Sequence, residues 1–220
     1  VVMVTRYGYI KRTRVSDLER TRNVLGGTRA LILEEGDKLV GADVCAAGTD
    51  IAVFTSFGRG IVINLDDETK PVRITGKLAR GITCMKLLDN ETIISACTVG
   101  DNSLLMISAQ GFGKCITRDN IKVKKRNQSP VRYMPGLDGP DSIASVIACD
   151  DNSNVLIMTS LGQSVVVRPE DFRQVSRIGK GVKMINVKDD NDFVVTMMPV
   201  SAELGFGDDL AEDNTEVPAE

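Results

Sequence analysis

Histidine and tryptophan are both missing from these 220 residues, and aromatic side chains make up only 4% of them. Without histidine the usual general base and the commonest metal ligand are gone, which weighs against triad hydrolases and metal centres. Without tryptophan the Trp-Asp dipeptides of common propeller repeats cannot occur. The five cysteines (Cys45, Cys84, Cys97, Cys115 and Cys149) never fall at Cys-x-x-Cys spacing, so a zinc site is not expected. Each lies in or beside an apolar run, where a free thiol packs as a small hydrophobe, as in a reduced cytosolic protein. There is no apolar run long enough to span a bilayer and no signal peptide. The expectation is therefore a cytoplasmic protein with no membrane partner and no cofactor. The chain opens inside a strand-like run, with Val1 where an initiator Met would stand, and reads as a piece of a longer protein.

What the sequence does have is a repeat. Thr5 to Gly8, Thr55 to Gly58, Ser108 to Gly111 and Thr159 to Gly162 share the pattern Thr/Ser-x-x-Gly, and their glycines are 50, 53 and 51 residues apart. Such spacing marks a tandem array of one structural unit. An aliphatic run of strand length precedes each glycine: Val1 to Thr5, Ile51 to Thr55, Leu104 to Ser108 and Val155 to Thr159. A second run follows: Tyr9 to Thr13, Gly60 to Leu65, Gly113 to Thr117 and Ser164 to Arg168. Glycine takes positive φ without strain, so each pair reads as a hairpin. Third runs are predicted at Ala30 to Leu33, Ile82 to Leu87, Val131 to Met134 and Val182 to Val187, each closed by an acidic turn containing Asp37, Asp89, Asp141 or Asp192. Fourth runs are Leu39 to Cys45, Thr92 to Val99, Ser142 to Cys149 and Phe193 to Val200. No helical period is sustained anywhere. The sequence predicts an all-β, propeller-like array of four blades with four strands each, over residues 1–200.

Charge is segregated. Residues 203–220 hold seven acids and no base, leaving 27 bases against 23 acids in the rest, a net of +4. Residues 201–220 therefore read as an acidic, disordered tail. It either competes with phosphate for the basic surface or merely keeps the end soluble, and deleting it separates the two. Bases cluster after the hairpin in every unit, most densely in the first and third. A radial array would line these up as a curved electropositive rim suited to a bent polyanion such as duplex DNA. The same bases also fit ordinary solvated surface charge. The candidate phosphate contacts are Arg6, Lys11, Arg12, Arg14, Arg20, Arg22, Arg29, Arg59, Arg80, Lys114, Arg118, Lys122, Lys124, Lys125, Arg126, Lys180 and Lys183. Two other classes stay open: a propeller used as a protein-interaction scaffold, and a hydrolase. The second is disfavoured because the repeated acids sit in turns on separate units.

The segments VVMVTRYGYIKRTRVSDL, IAVFTSFGRGIVINL, LLMISAQGFGKCITRDNI and VLIMTSLGQSVVVRPEDF…SRIGKGVKMINV resemble blades of the gyrase A-type C-terminal domain of bacterial type IIA topoisomerases, meaning DNA gyrase and topoisomerase IV. The resemblance implies a β-pinwheel, propeller-like but with strands exchanged between neighbouring blades. It implies a non-catalytic domain that bends or wraps double-stranded DNA around its basic rim, largely without regard to sequence. In the parent enzyme such a domain presents DNA to the cleavage core, which works with an ATPase subunit in the bacterial nucleoid. The Arg6-Tyr7 pair looks like the cleavage pair of that core. However, the same slots in the other units are Ser56-Phe57, Ala109-Gln110 and Ser160-Leu161, so it reads as a pair of turn residues.

The sequence departs from the gyrase pattern in two places. The box of glycines and bases expected in the first connecting stretch reads Asn23-Val24-Leu25-Gly26-Gly27-Thr28-Arg29, with its double glycine kept and its three bases replaced by Val24, Leu25 and Thr28, leaving Arg20, Arg22 and Arg29 nearby as the only compensation. Gyrase A domains of this kind also usually have more blades than the four units present here. Gyrase A remains the first reading. The topoisomerase IV domain, which bends DNA more weakly and does not wrap it, is the alternative.

Overall fold

The computed structural model describes residues 1–19, 27–134, 141–150, 153–179, 181–187 and 189–200. The first unit contributes β1 (Val2–Thr5), β2 (Tyr9–Arg12) and β3 (Leu39–Asp43). The second contributes β4 (Asp50–Thr55), β5 (Arg59–Asn64), β6 (Ile82–Thr83) and β7 (Ile93–Thr98). The third has β8 (Ser103–Ser108), β9 (Phe112–Ile116), β10 (Val123–Lys124), β11 (Val131–Arg132) and β12 (Ile143–Cys149). The fourth has β13 (Asn154–Thr159), β14 (Ser164–Val167), β15 (Val182–Lys183) and β16 (Val194–Val200). Helical structure among the described residues is confined to short 3-10 turns, and none is long and apolar enough to cross a membrane.

The repeated Thr/Ser-x-x-Gly closes each hairpin. The amides of Gly8, Gly58, Gly111 and Gly162 donate to the carbonyls of Thr5, Thr55, Ser108 and Thr159 at 2.9–3.1 Å, and all four glycines have φ between 71° and 90°. In three units the hydroxyl accepts the next free amide: Tyr9 on Thr5, Phe112 on Ser108 and Gln163 on Thr159. In the second unit Thr55 instead donates to Glu91.

The sheets run β3-β1-β2-β6, β7-β4-β5-β10 with β11 also on β5, β12-β8-β9-β15, and β16-β13-β14. The fourth strands lie at the hub, where β7 packs against β3 and β12, and β12 packs against β16. The third strand of each later unit pairs with the second strand of the unit before it: Ile82 with Ile10, Val131 with Gly60, and Val182 with Gly113. This is the strand exchange of a pinwheel.

It also explains the one strand that failed to form. Ala30 to Leu33 carries the third-strand pattern but has no preceding hairpin in these residues to add to, and it runs as irregular chain with only Leu31 buried. At the other end, β14 has no donated strand on its outer edge among the described residues.

Alternation along the strands builds the core. In β4, Ile51 and Val53 face the junction of the first two blades, while Ala52 and Phe54 face the next. In β8, Leu104 and Met106 look back and Leu105 and Ile107 look forward. Both faces of an inner blade are thus buried, which is why its strands read as unbroken apolar runs. Phe54 and Tyr133 meet edge to face at 5.1 Å in the central junction. On the last blade the forward face is uncovered, with Met158, Val195 and Met198 exposed.

Candidate nucleic-acid interface

The stretch between the second and third strands leaves its own unit and lies along the outer edge of the blade before it. On the way out it runs parallel to that blade's second strand, with Ile74 beside Arg12, Val123 beside Val62 and Gln174 beside Cys115. It then loops and returns antiparallel. The amides of Cys84, Tyr133 and Met184 reach the carbonyls of Gly8, Gly58 and Gly111 at 2.8–2.9 Å. These donated loops are the rim of the array. Residues 69–83, 121–132 and 172–183 carry four, five and four bases respectively, and no acid.

Within that rim the side chains divide sharply. Arg73, Lys77, Lys122, Lys125 and Arg173 are exposed on the loops. Arg126 donates from Nε to the Pro71 carbonyl at 3.2 Å and, with Arg73, lines a cleft of about 330 Å³ between the second and third units' loops. Lys124 donates to the Ser129 carbonyl, and Lys183 donates to the Gln110 carbonyl while lying over the Phe112 ring at 4.7 Å. Arg80 pairs with Glu34 and sits 4.5 Å from the Tyr9 ring, yet half of its side chain stays exposed.

Several residues assigned to phosphate contact from sequence belong elsewhere, and the assignment is corrected. Lys11 and Lys114 are 1% and 0% exposed. Lys11 donates to the carbonyls of Ala30 and Lys77, and Lys114 to those of Tyr133, Arg177 and Gly179. Burial pushes the Lys114 ammonium down to about 8, with repulsion from Arg177 adding to it, and burial lowers Lys11 too. Arg59 makes a bidentate pair with Glu91, whose side chain is fully buried. Arg12 is held by Asp66, and Arg118 by Asp50 and the Gly100 carbonyl. Arg6 is exposed but lies in the hairpin turn, away from the donated loops, and Arg14 is exposed at the strand's other end. Of the box, Gly27, Thr28 and Arg29 are described and exposed. Arg20, Arg22, Asn23, Val24, Leu25, Gly26, Lys180 and the acidic tail lie outside the described residues. Arg73, Lys77 and Arg173 were not among the sequence candidates, although they are exposed on the same donated loops.

The opposite chemistry gathers at the hairpin-turn end. Asp37, Asp141 and Asp192 accept the turn amides of Tyr7, Gln110 and Leu161 at 2.9–3.0 Å, so each acid stitches a hairpin to the start of its fourth strand. In the second unit that position is Glu91, not Asp89 as the acidic-turn reading had it. Burial alone would raise the Glu91 carboxyl, but Arg59, Thr55 and the Leu88 amide together hold it below its ordinary value. These acids satisfy backbone and do not converge on a common point. Among the described residues no cluster of three or more potential ligands could hold a metal.

The family described as DNA gyrase C-terminal domain, beta-propeller, matches residues 1–46, 49–96, 102–150 and 153–201, one stretch per unit. Curated relatives include the DNA gyrase A proteins of Helicobacter pylori, 33% identical over 84% of the chain, and of Mycolicibacterium smegmatis, 27% identical over 88%. The chain spans 22% and 23% of their lengths. Among solved structures, a DNA topoisomerase IV C-terminal domain superposes with a TM-score of 0.83 at 20% identity, covering 92% of this chain and 62% of that one. A DNA gyrase A C-terminal domain superposes with a TM-score of 0.77 at 20% identity, covering 90% and 64%. At that identity both likenesses speak to the fold.

Proposed function

The chain belongs to the DNA gyrase C-terminal domain family, and from that premise we propose that its donated loops form a sequence-tolerant binding track for duplex DNA. The observation that carries the reading is that each donated loop is basic and free of acid over residues 69–83, 121–132 and 172–183, while the repeated acids Asp37, Asp141 and Asp192 sit at the hairpin-turn end. Phosphates spaced along a duplex are neutralised in succession as it follows the rim, and the counterions they release drive binding. Because the loops lie on successive blades around a hub, a duplex in contact with several of them is bent. The domain acts without catalysis or cofactor, handing curved DNA to a cleavage core that works with an ATPase subunit in a cytoplasmic parent enzyme.

The curated relatives are gyrase A proteins, which favours gyrase over topoisomerase IV as the parent. Whether bending reaches full wrapping turns on the first connecting stretch, where Val24, Leu25 and Thr28 stand at the three basic positions of the box and Arg20, Arg22 and Arg29 are the bases nearby. Fluorescence anisotropy on a short duplex tests the reading. With six to ten phosphates engaged, affinity should fall by about a thousandfold or more between 50 and 200 mM salt. Weak association indifferent to salt would overturn it in favour of a protein-binding scaffold.

A further inference from the structure

Two of the donated loops carry something that phosphate contact does not use. In the second unit's loop, the Ala79 amide donates to the Gly76 carbonyl at 3.2 Å, closing a tight turn with Lys77 and Leu78 at its tip. In the fourth unit's loop, the Gly179 amide donates to the Ser176 carbonyl at 2.9 Å, leaving Arg177 and Ile178 in the same places. Leu78 is 65% exposed and Ile178 62%, and both lie four residues past the residue that bridges to the neighbouring blade and four before the donated strand. Ile74 and Val123 on the same loops are also exposed, at 47% and 43%, and isolated aliphatic residues of that kind need no explanation, but the two most exposed ones standing at one repeat position, each at a turn tip, do.

A second observation singles out the same two tips. The buried lysines lie beneath them: Lys11 holds the Lys77 carbonyl at 2.9 Å, and Lys114 holds those of Arg177 and Gly179 at 2.9 and 3.0 Å. In the third unit's loop the tip is polar, Asn127 with φ of 59°, and the strand position under it is Ile61. Where the tip is aliphatic it is fixed from below by an ammonium. Where it is polar, Ile61 stands in place of the lysine and the loop is tied by its backbone instead, the Asn127 amide donating to the Cys84 carbonyl at 2.6 Å and the Lys86 amide to the Gln128 carbonyl at 3.2 Å.

We propose that Leu78 and Ile178 are wedges that enter duplex DNA at a base step and kink it over the rim. The inference rests on the DNA-binding reading and deepens it. The basic residues around each tip neutralise phosphates on either side, bringing the aliphatic side chain to the groove. There its burial between base edges offsets part of the unstacking. Pinning by the buried lysines keeps the tip from folding back when it meets the duplex, as a wedge requires. The two wedges sit two units apart, so they concentrate the bend at two points, with a smooth, purely electrostatic passage over the Asn127 loop between them.

The test compares the wild type with Leu78→Ser, Ile178→Ser and the double variant, each checked by thermal melting. Bend is read by end-to-end energy transfer on a short duplex, and affinity is read on an intact duplex and on one with a single-nucleotide gap. The double variant should melt as the wild type, keep the wild-type salt slope, lose about tenfold in affinity and bend the duplex less. The gap removes the unstacking penalty, so it should tighten binding by the wild type and not by the double variant. If the wild type binds with a steep salt slope but the double variant bends and binds equally well, the wedge is wrong and the track stands. If the wild type shows no salt-steep binding, both fall.

Discussion

Lys11 and Lys114 on one side, and Lys122 and Lys125 on the other, are the same residue in the same basic clusters, yet they do opposite jobs. The first pair stands mid-strand, opposite Met3 and Met106, with the aliphatic stem buried and the ammonium shared between a carbonyl of its own unit and carbonyls of the next. The second pair stands on a loop that has crossed to the outer edge of the neighbouring blade and faces water. Inside the array a base binds units to each other, and on the rim it remains available for a polyanion. A cluster of bases in sequence is thus two populations, sorted by strand position and by strand exchange.

The sharpest way to break this division is to remove a base from each side of it. Arg59→Ala leaves the buried Glu91 carboxylate without its partner and should destabilise the domain by about 3–5 kcal/mol in urea unfolding. A loss under 1 kcal/mol would return Arg59 to the rim set. In the wild type the Glu91 carboxyl is held low, so its stabilisation is complete above the ordinary carboxylate range and is lost as pH falls through the lowered native value. The Arg59→Ala deficit should accordingly shrink in acid.

Next in size is Lys114→Met, which strips hydrogen bonds from three carbonyls and should lower stability by roughly 2–4 kcal/mol. Its pH dependence sharpens the comparison. The native ammonium titrates near 8 and the unfolded one near 10.5, so between these values the unfolded chain holds the extra proton. The wild type should therefore gain stability relative to Lys114→Met as pH rises through that window, measured by paired thermal melts. A flat difference would mean that the three carbonyls hold the charged form as well as water does.

The smallest stability effect belongs to the rim. Lys122→Ala and Lys125→Ala should each stay within about 0.5 kcal/mol of the wild type, while weakening duplex binding modestly and flattening the salt slope by about one unit.

Much of the fold could be read in the chain because the repeat states it four times. Thr/Ser-x-x-Gly marks hairpins through a glycine with positive φ and a hydroxyl that accepts an amide. The aliphatic runs mark strands because neighbouring blades cover both faces. What could not be read was partnership. The run at Ala30 to Leu33 has the pattern of Ile82 to Leu87, and only the presence of a preceding hairpin makes one a strand and the other irregular. Choosing Asp89 over Glu91 missed a signal that was available. Asp37, Asp141, Asp192 and Glu91 all stand two residues before a fourth strand, a spacing Asp89 breaks. For the rim, the sign of the charge was legible, but burial, which decides between Lys114 and Lys122, follows from strand alternation and cross-blade donation.

The most direct measurement sets two groups of exposed bases against each other by the salt dependence of duplex affinity. One variant replaces Arg73, Lys122, Lys125 and Arg173 on the donated loops with alanine, and the other replaces Arg6 and Lys38, which adjoin at the hairpin-turn end. The account predicts that the first flattens the slope by about four units while the second leaves it unchanged. A slope that survives the first and collapses with the second would contradict it.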